Sequence, residues 1–197
     1  MKLMQNKWLW YLLAGLALLG VVGVIVFSKL RESQTQHGSV ISPPVDAVDF
    51  TLTNQKNETV SLSDFRGKYI LLFFGFTTCT DECPATMGVL MQVRDQLKDQ
   101  ADKVQVVFVT TDPARDTPQA IGEFLDRFDS TFVGLTGSPT DLQKVYKDYG
   151  VTVMDNGETH STFVYLIDPQ GKLRLTYPFD TRTEDYLSDL KLLFKGS

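Results

Sequence analysis

From Trp8 to Phe27 the chain reads WLWYLLAGLALLGVVGVIVF, 20 positions without a charged residue, Asn, Gln or Pro. At about 1.5 Å per residue a helix over this run would be about 30 Å long, the thickness of a bilayer's hydrocarbon layer. A cleaved signal peptide has an apolar region of about 7–15 residues that ends at a small-x-small site. This run continues instead through Val24, Ile25, Val26 and Phe27, and so predicts an uncleaved transmembrane signal-anchor with Trp8, Trp10 and Tyr11 at an interface. Lys2 and Lys7 before the span balance Lys29 and Arg31 after it, so only the free amino terminus tips the orientation towards N-inside.

Residues 28–44, SKLRESQTQHGSVISPP, have no apolar period and end in two prolines, the composition of a tether; His37 within it is expected to be solvated. Beyond it VDFTLTNQKNETVSL alternates apolar and polar about a turn and predicts a β-hairpin. YILLFFGF (69–76) and VQVVFVTT (104–111) are continuous apolar runs of strand length, as strands covered on both faces require. ATMGVLMQVRDQLKD, PQAIGEFLDRF, PTDLQKVYKDYG and EDYLSDLKLLF predict helices, the third ending at Gly150, while TFVGLTG, STFVYLI and KLRLTYPF predict strands, with DPQG as a turn. The order predicts an α/β fold: a three-layer, thioredoxin-like domain over 45–197 with a mixed central sheet and an N-terminal hairpin. It is preceded by a cytoplasmic stub (1–7), a transmembrane helix (8–27) and the tether (28–44).

Charge separates these parts. The net +3 of residues 1–44 taken from the −5 of the whole chain leaves −8 on the remainder, which argues against a nucleic-acid partner. A domain of about 150 residues buries close to 70% of its unfolded surface and needs no disulfide for stability. The chain's two cysteines, Cys79 and Cys83, are therefore free for chemistry, and a redox-active or metal-binding pair makes most sense outside the cytosol.

Both cysteines lie in FFGFTTCTDECPAT, at the carboxyl end of a buried strand, where ligands gather in open α/β sheets. Pro84 is expected to open a helix with Cys83 as its cap, so that the helix N-terminus favours thiolate. Asp81 and Glu82 oppose thiolate formation and favour a bound cation. Three intervening residues also differ from the two of thioredoxin-like redox motifs. A disulfide between the pair remains open, either as a redox couple or as a plain loop bridge. His160, in DNGETHSTFVYLID, is the domain's one histidine and the candidate third metal ligand. Two thiolates and an imidazole suit copper, with zinc the competitor, since zinc usually takes a fourth ligand or water. In TTDPARDTP, Asp112 and Asp116 are candidates to orient His160 or serve the cysteines' protons, against turn and helix-cap roles for Asp112 and for Asp116 or Thr117. Met87, Met91 and Met154 are further soft candidates, the first two suited to a core face.

TTCTDECP after an apolar strand, then TTDPARDTP, VGLTG and HSTFVYLIDPQGKL, in this order behind one anchor, closely resemble the Sco/SenC family over about residues 45–195. The resemblance implies a thioredoxin-like, copper-binding chaperone on the outer face of a bacterial cytoplasmic membrane that helps assemble the CuA centre of cytochrome c oxidase. Its implied partners are the oxidase subunit carrying CuA, a copper donor chaperone and a thiol reductant. It also implies copper ligation by Cys79, Cys83 and His160, with Asp112 associated less directly. Only seven residues precede the span, whereas a mitochondrial member would carry a targeting extension. Peroxiredoxins share the fold, but Phe76 and Leu72 stand where their threonine or serine and proline belong. The competing expectation is a thiol-disulfide oxidoreductase that reduces cysteines of an oxidase subunit or another exported protein, which needs both cysteines but not His160.

Overall fold

The structure, a computed structural model, describes residues 7–32, 36–153 and 163–196. It divides into two units, one reaching residue 35 and the other running from Gln36 to Lys195. In the first, helix α1 spans Lys7–Glu32 without a break. Its side chains are described over 11–24 and are exposed, a stretch of about 21 Å. Among the described residues no helix is long and apolar enough to cross a membrane.

The second unit is built on one mixed sheet in the order β1-β8-β7-β4-β5-β6-β2-β3. The strands are β1 (Ser39–Asp46), β2 (Thr51–Asn54), β3 (Thr59–Ser61), β4 (Tyr69–Gly75), β5 (Val104–Thr110), β6 (Val133–Thr136), β7 (Phe163–Ile167) and β8 (Lys172–Pro178). β4, β5 and β6 run parallel, and the other pairings are antiparallel. The parallel crossovers are made by α2 (Glu82–Leu97) and α3 (Pro118–Leu125), and α4 (Pro139–Tyr149) and α5 (Thr183–Gly196) complete the layers. Every residue of β4 and β5 is buried, as their unbroken apolar runs require.

The alternation of side chains sorts β4 between two cores. Tyr69, Leu71 and Phe73 join α2, α3 and α5 through Met87, Leu90, Phe124, Tyr186 and Leu190. Ile70, Leu72 and Phe74 join α4, the hairpin and the short turn after it through Leu142, Tyr146, Tyr149, Leu52 and Leu62. Local signals end the elements where the sequence predicted. Ser138 caps α4, accepting from the Asp141 N–H at 3.2 Å, and Gly150 closes it in the left-handed conformation at φ 66°. In the β7–β8 turn the buried Asp168 carboxylate accepts from the N–H groups of Gln170 (3.1 Å) and Lys172 (2.8 Å) and from Arg174 (3.1 Å).

The stretch read as a tether differs from expectation. Its second half is β1, an edge strand paired with β8, and Pro43 and Pro44 lie within it, where an edge tolerates missing donors. His37 is not simply solvated either. Its backbone N–H donates to both oxygens of Asp189 (2.9 and 3.0 Å), and its ring Nδ1 lies 3.2 Å from the Asp185 carboxylate. The Gly38 N–H (2.9 Å) and the Tyr177 hydroxyl (3.0 Å) donate to the same, fully buried Asp189. A Cβ on Gly38 would come within 2.7 Å of the Tyr177 ring, so only glycine lets the backbone reach this carboxylate. The tether reading failed because a polar stretch can be ordered by one distant buried acceptor, which has no local signature.

Asp189→Ala is expected to strand three donors and cost about 3 kcal/mol, read as a lower urea midpoint. A loss under about 0.5 kcal/mol would mean that the carboxylate does not hold this segment.

Candidate metal centre

β4 ends at Gly75, and the chain must leave the sheet there because α2 follows. The Thr111 N–H donates to the Gly75 carbonyl at 2.7 Å, extending the β4–β5 pairing by one bond before the strands diverge. Phe76 to Asp81 then make a short loop in which the Cys79 N–H donates to the Phe76 carbonyl at 3.3 Å. The helix begins two residues earlier than expected: Asp81 is its cap, Glu82 its first residue, and Cys83 already lies in the first turn, ahead of Pro84. The reason is that Pro84 supplies no N–H, which the first turn of a helix can spare at the third position as well as the first.

This register aims the unpaired donors of the helix start at the other sulfur. The Cys83 N–H donates to Cys79 Sγ at 3.4 Å. Both cysteines are free thiols; Cys79 is half-buried and Cys83 is 3% exposed. Burial pushes the Cys83 thiol far above the usual thiol range, the Phe76 backbone pulls against this, and Cys79 and Glu82 add to the rise. Cys83 is thus held as a neutral thiol, and any metal that takes it must displace a proton. Its sulfur rests on Gly75, where an added Cβ would lie 2.8 Å from Sγ, 2.9 Å from the Phe73 ring and 3.2 Å from Phe108.

The loop is fastened from behind by Asp116, which is 0% exposed. Its carboxylate accepts from the Thr77 N–H (3.0 Å), the Thr77 hydroxyl (2.6 Å) and the Thr110 hydroxyl (2.6 Å). Of the two cap candidates, Thr117 caps α3, accepting from the Ala120 N–H at 3.2 Å, so Asp116 is not a cap. Asp112 is buried one turn away, where its carbonyl accepts from the N–H groups of Arg115 and Asp116 and its carboxylate pairs with the Arg115 guanidinium. The Tyr146 hydroxyl donates to the Thr110 carbonyl at 2.6 Å from the opposite core; burial first, then Asp112 and Asp116, push its ionisation up.

Met87 is fully buried in the core, and Met91 is half-buried against the same cluster. His160 and Met154 lie outside the described residues. Among the described residues no group of three or more His, Cys, Asp or Glu is disposed to hold a metal ion, so the thiol pair lacks a third partner there. The register does fix where the chain enters β7: Val164 stands opposite Phe73, so Phe163 lies at the sheet end where β4 hands over to the cysteine loop. Sequence reading missed Gly75, Thr77 and Tyr146 altogether. The available signal was the polar pair Thr110-Thr111 ending a strand with no exposed face, since buried hydroxyls require partners.

Fold and site together define a thioredoxin-like protein with a CxxxC dithiol at the junction of its first central strand and helix. The family model described as SCO1/SenC matches residues 42–195. Protein sco1 of Schizosaccharomyces pombe is 31% identical over 188 residues, covering 88% of this chain and 72% of that protein. The solution structure of apo Sco1 from Thermus thermophilus has a TM-score of 0.71 at 34% identity, covering 81% of this chain and 97% of that one. The structure of Bradyrhizobium japonicum ScoI with copper bound has a TM-score of 0.65 at 32% identity, covering 75% and 98%. The chain belongs to the SCO1/SenC family.

Because Cys83 keeps its proton in the folded state, its contribution to stability is complete below the unfolded thiol's pKa of about 8.5 and declines as pH rises above it. Urea midpoints should therefore fall above about pH 9 in the reduced protein, and Cys83→Ala should flatten that fall. Gly75→Ala is expected to cost about 1–3 kcal/mol, because the intruding methyl meets a sulfur and two packed rings. It should also raise the alkylation rate of Cys83 by forcing the sulfur outward, and an unchanged rate would mean that Gly75 does not seat the thiol.

Proposed function

We propose that this protein is a membrane-anchored copper chaperone that takes up copper on Cys79, Cys83 and His160 and passes it to the CuA centre of cytochrome c oxidase. The observation that carries the reading is the hydrogen bond from the Cys83 N–H to Cys79 Sγ, which holds two soft donors together at a helix N-terminus. A thiolate pair selects copper over harder cations, and an imidazole completes a low-coordinate site. A relative of 32% identity was solved with copper bound, which supports the choice of metal. His160 enters because it precedes β7 by three residues, and β7 starts at the cysteine end of β4. Asp112, buried beyond the neighbouring strand end, is the candidate outer carboxylate.

We infer the anchor from the apolar run 8–27, which α1 contains, and place the acidic domain, which begins at Gln36, on the extracytoplasmic side of a bacterial cytoplasmic membrane. The partners that follow are the oxidase subunit carrying CuA, a copper donor and a thiol reductant. One observation favours a second activity, dithiol exchange: Cys79 is the more accessible sulfur and Cys83 the buried one behind it, the asymmetry an attacking and a resolving thiol need. Copper loading and dithiol exchange share these sulfurs and can coexist.

Copper retained by the reduced full chain in competition with a Cu(I) chelator tests the reading. One equivalent is expected for the wild type. His160→Ala should weaken retention at least tenfold, and Cys79→Ser or Cys83→Ser should abolish it. Equal, weak retention in wild type and His160→Ala would defeat the copper role, and intact cellular function in His160→Ala with loss in either Cys→Ser variant would favour dithiol exchange.

A further inference from the structure

We propose that Asp116 is a positioning residue for the two sulfurs: through Thr77 it holds the cysteine loop in the conformation that lets Cys79 and Cys83 close a ring, whether on each other or on copper. The copper half of this statement rests on the function proposed above; the dithiol half does not.

Asp116 has no exposed surface, and a buried carboxylate persists only where hydrogen bonds replace its water. Here all three of those bonds go to two residues, and both choices are informative. Thr77 lies two residues before Cys79 and donates with both its N–H and its hydroxyl. Thr110 ends β5 and donates from its hydroxyl, which in turn accepts from the Asp112 N–H at 2.9 Å. The carboxylate thus ties the loop leaving β4 to the rigid end of β5. A helix cap, the ordinary role for such a residue, is filled by Thr117.

The consequence concerns entropy. A ring that includes both sulfurs forms more readily when its loop is already ordered. On the far side, among the described residues, the Cys79 sulfur accepts from the Cys83 N–H at 3.4 Å, a soft contact that cannot fix the loop by itself. Two bonds from Thr77 to one carboxylate, its N–H at 3.0 Å and its hydroxyl at 2.6 Å, can, since hydrogen bonds to a carboxylate are about twice as strong as neutral ones.

The test is the equilibrium of the full chain with glutathione. In it Cys79 and Cys83 together give up two protons and two electrons, their S–S bond forms as that of glutathione disulfide breaks, and two glutathione thiols are released. Asp116→Asn keeps the shape and removes one acceptor site. It should move this equilibrium about tenfold towards the dithiol, about 30 mV for a two-electron couple. Thr77→Val should move it the same way by about threefold, Thr77→Ser should restore the wild-type value, and Asp116→Asn with Thr77→Val should go no further than Asp116→Asn alone. Leu62→Ala, a core change beside the start of β4, controls for stability and should leave the equilibrium within twofold of wild type. Should Asp116→Asn fold poorly, the two Thr77 variants carry the test.

An equilibrium unmoved by Asp116→Asn and Thr77→Val, or moved equally by Leu62→Ala, overturns the positioning role. Cu(I) competition on the same variants separates the two proposals. Weak copper retention by the wild type alongside a shifted glutathione equilibrium sinks the copper reading and leaves the positioning role standing. Tenfold weaker copper retention in Asp116→Asn than in wild type supports both.

Discussion

The molecule is organised around a strand that has water on neither side. β4 gives alternate residues to two separate cores and pairs with β5 on one edge and β7 on the other, so neither its faces nor its edges are free. Such a strand cannot simply fray; the chain must leave the sheet at one defined point with its polar groups accounted for. Gly75 is that point. Its carbonyl takes the Thr111 N–H, and its missing side chain makes room for the Cys83 sulfur. The cysteine pair is therefore placed by the packing of the core, and the loop that carries it is short because α2 has to begin at Glu82 to cover the same face.

That placement gives the two sulfurs different environments across only three intervening residues. Cys83 faces the core and keeps its proton, since an ion there would lose its solvent and gain no cation. Cys79 is more open and receives the Cys83 N–H. A metal cation bound there would supply the charge that the buried site lacks and would favour the thiolate form. A buried thiol that keeps its proton resists stray oxidation more than a thiolate would, since oxidation follows thiolate character.

Much of this was legible in the sequence, and the residues show why. The two apolar runs announced β4 and β5, Gly150 announced the end of α4, and the apolar run before the cysteines with Pro84 after them placed the pair at a strand-to-helix junction. These are signals carried by neighbours in sequence. What was not legible depends on partners far along the chain. His37 and Gly38 look like tether until Asp189, 152 and 151 positions away, supplies their acceptor. Asp116 looks like a cap because it precedes Thr117 and Pro118, and only its distance to Thr77, 39 residues earlier, assigns it to the cysteine loop. The early start of α2 was missed for another reason: Pro84 is compatible with more than one position in a first turn, so it bounds the helix start without fixing it.

Both misreadings concern buried carboxylates that accept backbone N–H groups from segments the apolar pattern leaves unexplained. A hydrophobic core fixes elements that have apolar faces; it has no hold on a polar loop or an edge segment rich in Ser and Pro. Those pieces are ordered only if an acceptor is buried deep enough to prefer their N–H groups to water, and Asp189 and Asp116 are each 0% exposed. The same device thus fastens the start of the domain at one place and the cysteine loop at another. Its energetic character also differs from packing, because removing the carboxylate leaves donors unsatisfied and not merely a void, so each fastening is lost as a unit.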